Sequence, residues 1–198
     1  MNFAQTILKP LRRLGKRILY SPRGVRMGNH SYIQLPRWIE SPDCLQVGAN
    51  TVILPGARIS AIRRYCNFVY EPKIRIGDGV YIGRHAYFVA IDSIEIDDGC
   101  VLSEYVYITD LAHGLHPDKG PIMEQPLESK GPVQIGKSCF LGFRVSVMPG
   151  VSLGEHCIVG ANSVVTKSFP AGSMIAGCPA VLIKKFDRAS GQWISVAT

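Results

Sequence analysis

From Ile135 to Thr166 an aliphatic residue stands at every sixth position: Ile135, Leu141, Val147, Leu153, Val159 and Val165. Two residues before each comes something small, polarisable or β-branched: Val133, Cys139, Val145, Val151, Cys157 and Ser163. A helix cannot keep a period of six on one face, and a flat strand repeats every second residue. A period of six with an internal alternation describes short strands separated by turns that all rotate the chain the same way. Three such strands close a triangular coil of about 18 residues. Coils of this kind stack as parallel β-sheet about 4.8 Å apart, with each aliphatic pointing into the prism. Gly follows the aliphatic in four of the six repeats, at Gly136, Gly142, Gly154 and Gly160. These glycines are expected to relieve the corners by adopting positive φ.

The same spacing runs upstream through Val47, Ile53 and Ile59, then Ile76, Ile82 and Phe88, then Ile96, Leu102 and Ile108. With the main stretch this makes five triplets, which predict five coils and a prism about 24 Å long. The interruptions all fall between the third strand of one coil and the first of the next. They separate Ile59 from Ile76, Phe88 from Ile96 and Ile108 from Ile135. Surplus chain therefore leaves the prism at one edge, and surplus chain on a regular scaffold tends to carry function. The longest insertion, residues 109–132, holds two of the five histidines, His113 and His116. Beyond Val165 an irregular crossing and a C-terminal strand or helix are expected. The tail from Ser190 is expected to be loose apart from Trp193.

Charge changes the picture only at the N-terminus. The formal net charge is +7, yet residues 1–26 hold seven basic residues and no acid, which leaves the remainder neutral. The chain divides accordingly into a basic segment, 1–26, and a coil domain, 27–198. Leu11, Leu14 and Ile18 face away from Arg12, Arg13, Lys16 and Arg17 on a helix over 11–20. Such a helix packs on the coil body, or it lies on an anionic membrane surface. Nucleic acid is not expected as a partner, because no aromatic residues are interleaved with the basic ones. No apolar run reaches the length of a membrane span, and no signal peptide is visible, so a cytoplasmic location is expected, peripheral to the inner membrane face if the segment binds lipid.

Six cysteines raise the question of disulfides or a metal. Cys100, Cys139 and Cys157 each lie two before a core aliphatic, on the middle strand of successive coils. They are expected to stack in one column inside the prism as reduced thiols. No CxxC pair occurs, and no metal site is expected.

The repeat resembles the hexapeptide-repeat acyltransferases, closest to the polysaccharide, galactoside and maltose O-acetyltransferases. The resemblance covers roughly residues 75–186. It implies an all-β, left-handed parallel β-helix with a short N-terminal helix, an inserted loop and a short C-terminal extension. The left hand comes from the resemblance, since parallel crossovers are generally right-handed. It further implies transfer of an acetyl group from acetyl-CoA to a hydroxyl of a sugar or polysaccharide precursor, in a homotrimer. In that branch the loop opens close to Asp-His-Asn-His-Gly, and the second His is the general base. Asp110 and His113-Gly114 match, while Leu111 and Ala112 replace the first His and the Asn. The resemblance therefore assigns His113 as base, with His116 as the alternative, and Asp110 to substrate binding. For the coenzyme it points to Phe140, Gly142, Phe143, Ala161, Thr166, Lys167 and Lys184.

A single base near neutrality is all that this chemistry asks of a side chain. Two other readings stay open. One is a zinc lyase of the carbonic anhydrase type, which needs three histidines, nominally His85, His113 and His116, about one metal. The other is a non-catalytic trimeric scaffold recruited to membranes by residues 1–20.

Overall fold

The computed structural model describes residues 19–20 and 24–196. Three parallel sheets form the sides of a prism. The first face holds Arg26–Met27, Leu45–Val47, Lys73–Ile76, Ser93–Ile96, Val133–Ile135 and Ser152–Leu153. The second face runs through Tyr32–Gln34, Val52–Ile53, Tyr81–Ile82, Val101–Leu102, Phe140–Leu141 and Ile158–Val159 to Ser173–Gly177. The third holds Trp38–Glu40, Arg58–Ala61, Tyr87–Ala90, Tyr107–Thr109, Ser146–Val147 and Val164–Val165.

The register sets the predicted aliphatics directly above one another. Ile76 pairs with Val47 and Ile96, and Leu102 pairs with Ile82 and Leu141. All five predicted triplets are buried in one core, with Phe88 as its largest member. The prism has a sixth full coil beneath them, built on Met27, Ile33 and Ile39, whose strands pair with those of Val47, Ile53 and Ile59. A partial seventh turn follows at the other end, where Phe169 bridges to Leu153 and Ile175 pairs with Val159.

The glycines after the aliphatics serve a different purpose from the one expected. None of them has positive φ. A Cβ on Gly83 would stand 2.5 Å from the carbonyl carbon of Ser103, and one on Gly142 would stand 2.7 Å from the nitrogen of Ala161. Each is glycine because the backbone of the next coil passes too close for a side chain. Positive φ falls instead three residues after the aliphatic, at His85, Tyr105, Arg144, His156 and Asn162 among others.

The cysteine column is present, and its place on the corner explains it. Cys100 donates to the Gly136 carbonyl at 3.1 Å, Cys139 to Gly154 at 3.2 Å and Cys157 to Pro170 at 3.3 Å. Ser31 and Thr51 occupy the same column and donate to the carbonyls of Gly48 and Gly77. The position therefore takes a small group, which at all but Val80 donates to a carbonyl at the corner. Cys139 lies between the other two thiols, and Cys100, Cys157 and burial all push its thiol up.

Two expectations at the ends of the chain are corrected. Leu19–Tyr20, the last residues of the expected helix, form a strand antiparallel to Tyr32–Gln34. The rest of that helix lies outside the described residues. The tail is not loose. Gln192–Ser195 pairs antiparallel with Ala180–Asp187, which pairs in turn with Ser173–Gly177, and Trp193 packs edge-on against Phe186 at 5.3 Å. Alternation in Ala180–Asp187 lets this hairpin close the second face while its charged side chains remain in water.

Candidate active site

All the long connections leave at the edge between the third and first faces. Residues 62–72 project there as a hairpin of Arg64–Tyr65 and Phe68–Val69. Residues 110–132 project beside it, with Leu111–His113 antiparallel to Leu127–Ser129. His113 lies directly opposite Leu127 in that pairing.

Within the long loop, Gln125 is 3% exposed and its amide is spent on the loop's own backbone. Its Oε1 accepts from the His116 N–H at 3.0 Å, and its Nε2 donates to the carbonyls of His116 and Gly120. The Gly114 N–H donates to the Pro126 carbonyl at 2.9 Å. The shorter hairpin supports the loop from outside. The Tyr70 hydroxyl accepts from the Leu127 N–H at 2.8 Å and donates to the Leu127 carbonyl at 3.1 Å. The Tyr65 hydroxyl donates to the Met123 carbonyl at 2.7 Å, and its ring meets the His113 imidazole edge-on at 5.5 Å. Burial, then Cys66 and Tyr70, push the Tyr65 hydroxyl up. Sequence reasoning missed Tyr65, Tyr70 and Gln125, because nothing in a repeat pattern links positions on separate insertions.

His113 is half-buried, and its Nδ1 is fully enclosed without a hydrogen-bond partner. A buried polar atom left unpaired is costly and calls for an explanation, of which a catalytic role is one. His116 lies on the exposed part of the loop, where its Nδ1 accepts from the Asp118 N–H at 3.2 Å. Asp110 departs from expectation. It has no exposed surface, and its two oxygens accept from the N–H groups of Ile91 and Asp92, both at 2.9 Å. The carboxylate thus holds the neighbouring coil's corner at the root of the loop and has no face turned toward a substrate. Burial raises its pKa, and the two N–H donors oppose that rise.

The candidate coenzyme residues fall into two groups. Phe140, Gly142, Phe143 and Ala161 line the second face and its corner with the third. Phe140 and Phe143 are exposed there, and Gly142 is buried under Ala161. Lys184 continues that face on the terminal hairpin, opposite Met174. Thr166 and Lys167 lie on the other edge, the one that carries the loop, and the Lys167 ammonium sits 5.6 Å over the Phe169 ring. One prism therefore presents His113 on one edge and most of the coenzyme candidates on another. The second corner also carries a stack outside the prediction: His85 lies flat on Tyr105 at 4.9 Å, Tyr105 meets Phe143 edge-on, and the Arg144 guanidinium sits 5.0 Å over Phe143. His85 is thus on a different corner from His113 and His116. Among the described residues no three His, Cys, Asp or Glu side chains gather as metal ligands.

The model of the hexapeptide repeat of succinyl-transferase matches residues 73–110 and 132–167, the coils on either side of the long loop. WbbJ of Escherichia coli (strain K12), named for O-acetyl transfer in lipopolysaccharide biosynthesis, is 31% identical over 172 residues, covering 83% of this chain and 84% of its own. The chain belongs to the hexapeptide-repeat acyltransferase family. A Mycobacterium tuberculosis (strain ATCC 25618 / H37Rv) relative named as an acetyltransferase is 34% identical over 115 residues, and the match spans 38% of that longer protein.

Solved acyltransferase structures superpose on this left-handed parallel β-helix along most of its length. AntD, an N-acyltransferase from Bacillus cereus in complex with dTDP and 3-hydroxybutyryl-CoA, superposes with a TM-score of 0.67 at 20% identity, over 96% of this chain and 93% of its own. A maltose O-acetyltransferase from Clostridium difficile 630 gives 0.57 at 22% identity, over 93% and 87%. Acyl-CoA is the cosubstrate that the hexapeptide-repeat family brings with it.

Proposed function

We propose that this protein moves an acetyl group from acetyl-CoA to a hydroxyl of a sugar or polysaccharide precursor, with His113 as general base. The observation that carries the reading is the His113 imidazole, held on the inserted loop with Nδ1 enclosed. Nε2 is then the nitrogen left to take a proton. The acceptor hydroxyl attacks the thioester carbonyl while Nε2 removes its proton. Backbone N–H groups stabilise the tetrahedral oxyanion. The intermediate collapses by breaking the carbon–sulfur bond, and the imidazolium returns its proton to the departing CoA thiolate. No covalent enzyme intermediate is needed. The exposed position of His116 and its acceptor role toward Asp118 favour His113 as the base. WbbJ supports an oxygen acceptor, since its name is that of an O-acetyl transferase.

The outward faces support a three-fold ring. The first face presents Arg26, Gln46, Arg75, Glu95, Gln134 and Ser152, with Arg75 paired to Glu95 and Asp97. The second presents Tyr32, Val52, Tyr81, Val101, Phe140 and Ile158 in the same register, and the third carries Trp38, Arg58, Tyr87, Tyr107, Ser146 and Val164. An apolar second face and an aromatic-rich third face meeting at an aromatic corner, opposite one solvated face, suit a closed ring. Such a ring sets the loop edge of one subunit against the coenzyme corner of the next.

Thiol release from acetyl-CoA with a panel of sugars, followed by mass spectrometry of the product, tests the reaction. Loss of the acetyl group in mild base separates an ester from an amide. His113→Ala is expected to abolish transfer while CoA still binds, and His116→Ala to leave most of the rate. The reverse result moves the base to His116. A stable monomer that turns over, seen by sedimentation, sinks the ring.

A further inference from the structure

The geometry points to Tyr70, with Tyr65, as a positioning pair that aims the His113 imidazole from the neighbouring insertion. The inference rests on His113 as the base. A catalytic histidine is commonly oriented by a hydrogen bond at its second nitrogen. Here Nδ1 has no such partner among the described residues. The ring's orientation must therefore come from its strand and from what packs on it. Both lead to the short hairpin. His113 is set by its pairing with Leu127, and Leu127 is 5% exposed. Tyr70 grips both the N–H and the carbonyl of Leu127 through one hydroxyl, across 57 residues of sequence. Tyr65 closes the ring side at 5.5 Å and ties the loop at Met123. Leu127 is held at two points by a residue on a separate turn of the prism, so Leu111–His113 cannot slide or tilt without breaking both bonds. The insertion after Ile59 is thus a brace for the insertion after Ile108. It acts on the reaction through His113 and touches no reacting atom.

Tyr70→Phe removes both bonds and keeps the ring. Turnover is measured per bound CoA, with stoichiometry from calorimetry, so that inactive protein does not count. It is expected to fall about ten- to a hundred-fold, the loss typical of a misplaced catalytic group. The acetyl-CoA KM is expected to stay within about two-fold, since uniform binding is untouched. A second readout needs no acceptor. Diethyl pyrocarbonate carbethoxylates exposed imidazoles, and peptide mass spectrometry gives the rate at His113 relative to exposed His156 in the same sample. That ratio is expected to rise several-fold in Tyr70→Phe. Tyr65→Ala is expected to act the same way and serves if Tyr70→Phe fails to fold. In a His113→Ala background neither substitution is expected to lower the residual rate further. A lowered turnover with an unchanged reactivity ratio, or a raised ratio with unchanged turnover, overturns the brace. If His113→Ala itself keeps full turnover, the proposed base is wrong, and the reactivity ratio alone then decides whether the brace exists.

Discussion

Two glycines on adjacent corners separate the reasons for which this fold uses glycine. Gly83 has an ordinary φ, but a Cβ there would lie 2.5 Å from the Ser103 carbonyl carbon and 2.6 Å from the Glu104 nitrogen. Both are backbone atoms, so no flexible side chain can swing aside. Relief requires the two coils to part by nearly 1 Å, against a ladder of hydrogen bonds that includes the Gly83 N–H to the Leu102 carbonyl at 2.8 Å. Overpacking of this kind costs about 3 kcal/mol. Gly79 has a φ of +63° and open space around a built Cβ. Alanine there pays only the left-handed penalty of about 1–2 kcal/mol. The unfolded-state gain from replacing glycine is common to both and cancels in the comparison. Gly83→Ala should therefore unfold about 2–8 °C below Gly79→Ala, at about 2–4 °C per kcal/mol for a chain of this size. Scanning calorimetry at one fixed protein concentration measures this, because subunit association shifts Tm by mass action. A lower Tm for Gly79→Ala would mean that backbone handedness, and not coil spacing, selects these glycines.

Asp110→Ala leaves the buried N–H of Ile91 and the part-buried N–H of Asp92 without acceptors, and at about 1–3 kcal/mol each a loss of about 2–6 kcal/mol is expected in urea unfolding. The Asp98 carboxyl is held below its ordinary value by the Asp78 N–H and the Lys137 ammonium. A depressed carboxyl contributes stability above its unfolded pKa of about 3.9 and loses it as pH falls through the folded value. Acid unfolding of Asp98→Asn should accordingly show a shallower slope below about pH 4, and an unchanged curve would remove Asp98 from the account. Residues 1–18 carry Lys9, Arg12, Arg13, Lys16 and Arg17, and at about 1 kcal/mol per basic residue near an anionic surface they would give reversible attachment. Deleting them should abolish flotation with anionic vesicles, leave neutral vesicles unbound as before and spare turnover on a soluble sugar. Insolubility of the truncated chain would show instead that the segment covers the coils.

The prism was legible because its period matches no other element, and each aliphatic of the predicted sixes is buried. The first coil keeps the same spacing at Met27, Ile33 and Ile39, and Gly28 follows Met27. Its corner Gln34-Leu35-Pro36 lacks the glycine that follows Ile82, Leu141 and Val159 on the same face. The strand at Leu19–Tyr20 was obscured by a basic amphipathic pattern in the residues before it. Asp110 was found by its motif, but its structural role was not legible, because its partners belong to the coil below, 18 and 19 residues back. Tyr70 and Gln125 carry no periodic signal at all. Their roles exist only once two irregular loops are folded against each other, and period counting sees regular chain alone.

The terminal hairpin and the strand at Leu19–Tyr20 share a further consequence. A stack of parallel coils has no natural end: its last rung offers the same row of donors and acceptors as every rung within, and a second molecule could add to it. On the second face both ends of the ladder turn antiparallel, at Leu19–Tyr20 below and at Ala180–Asp187 above. A copy arriving from below would meet the reversed strand Leu19–Tyr20, and one arriving from above would meet the four-residue edge Gln192–Ser195 of a hairpin instead of a prism rung. Only two faces of three could then continue the rungs. The reversed strand below and the hairpin cap above are stop signals against fibre growth, written in the backbone and independent of whatever chemistry the loop performs.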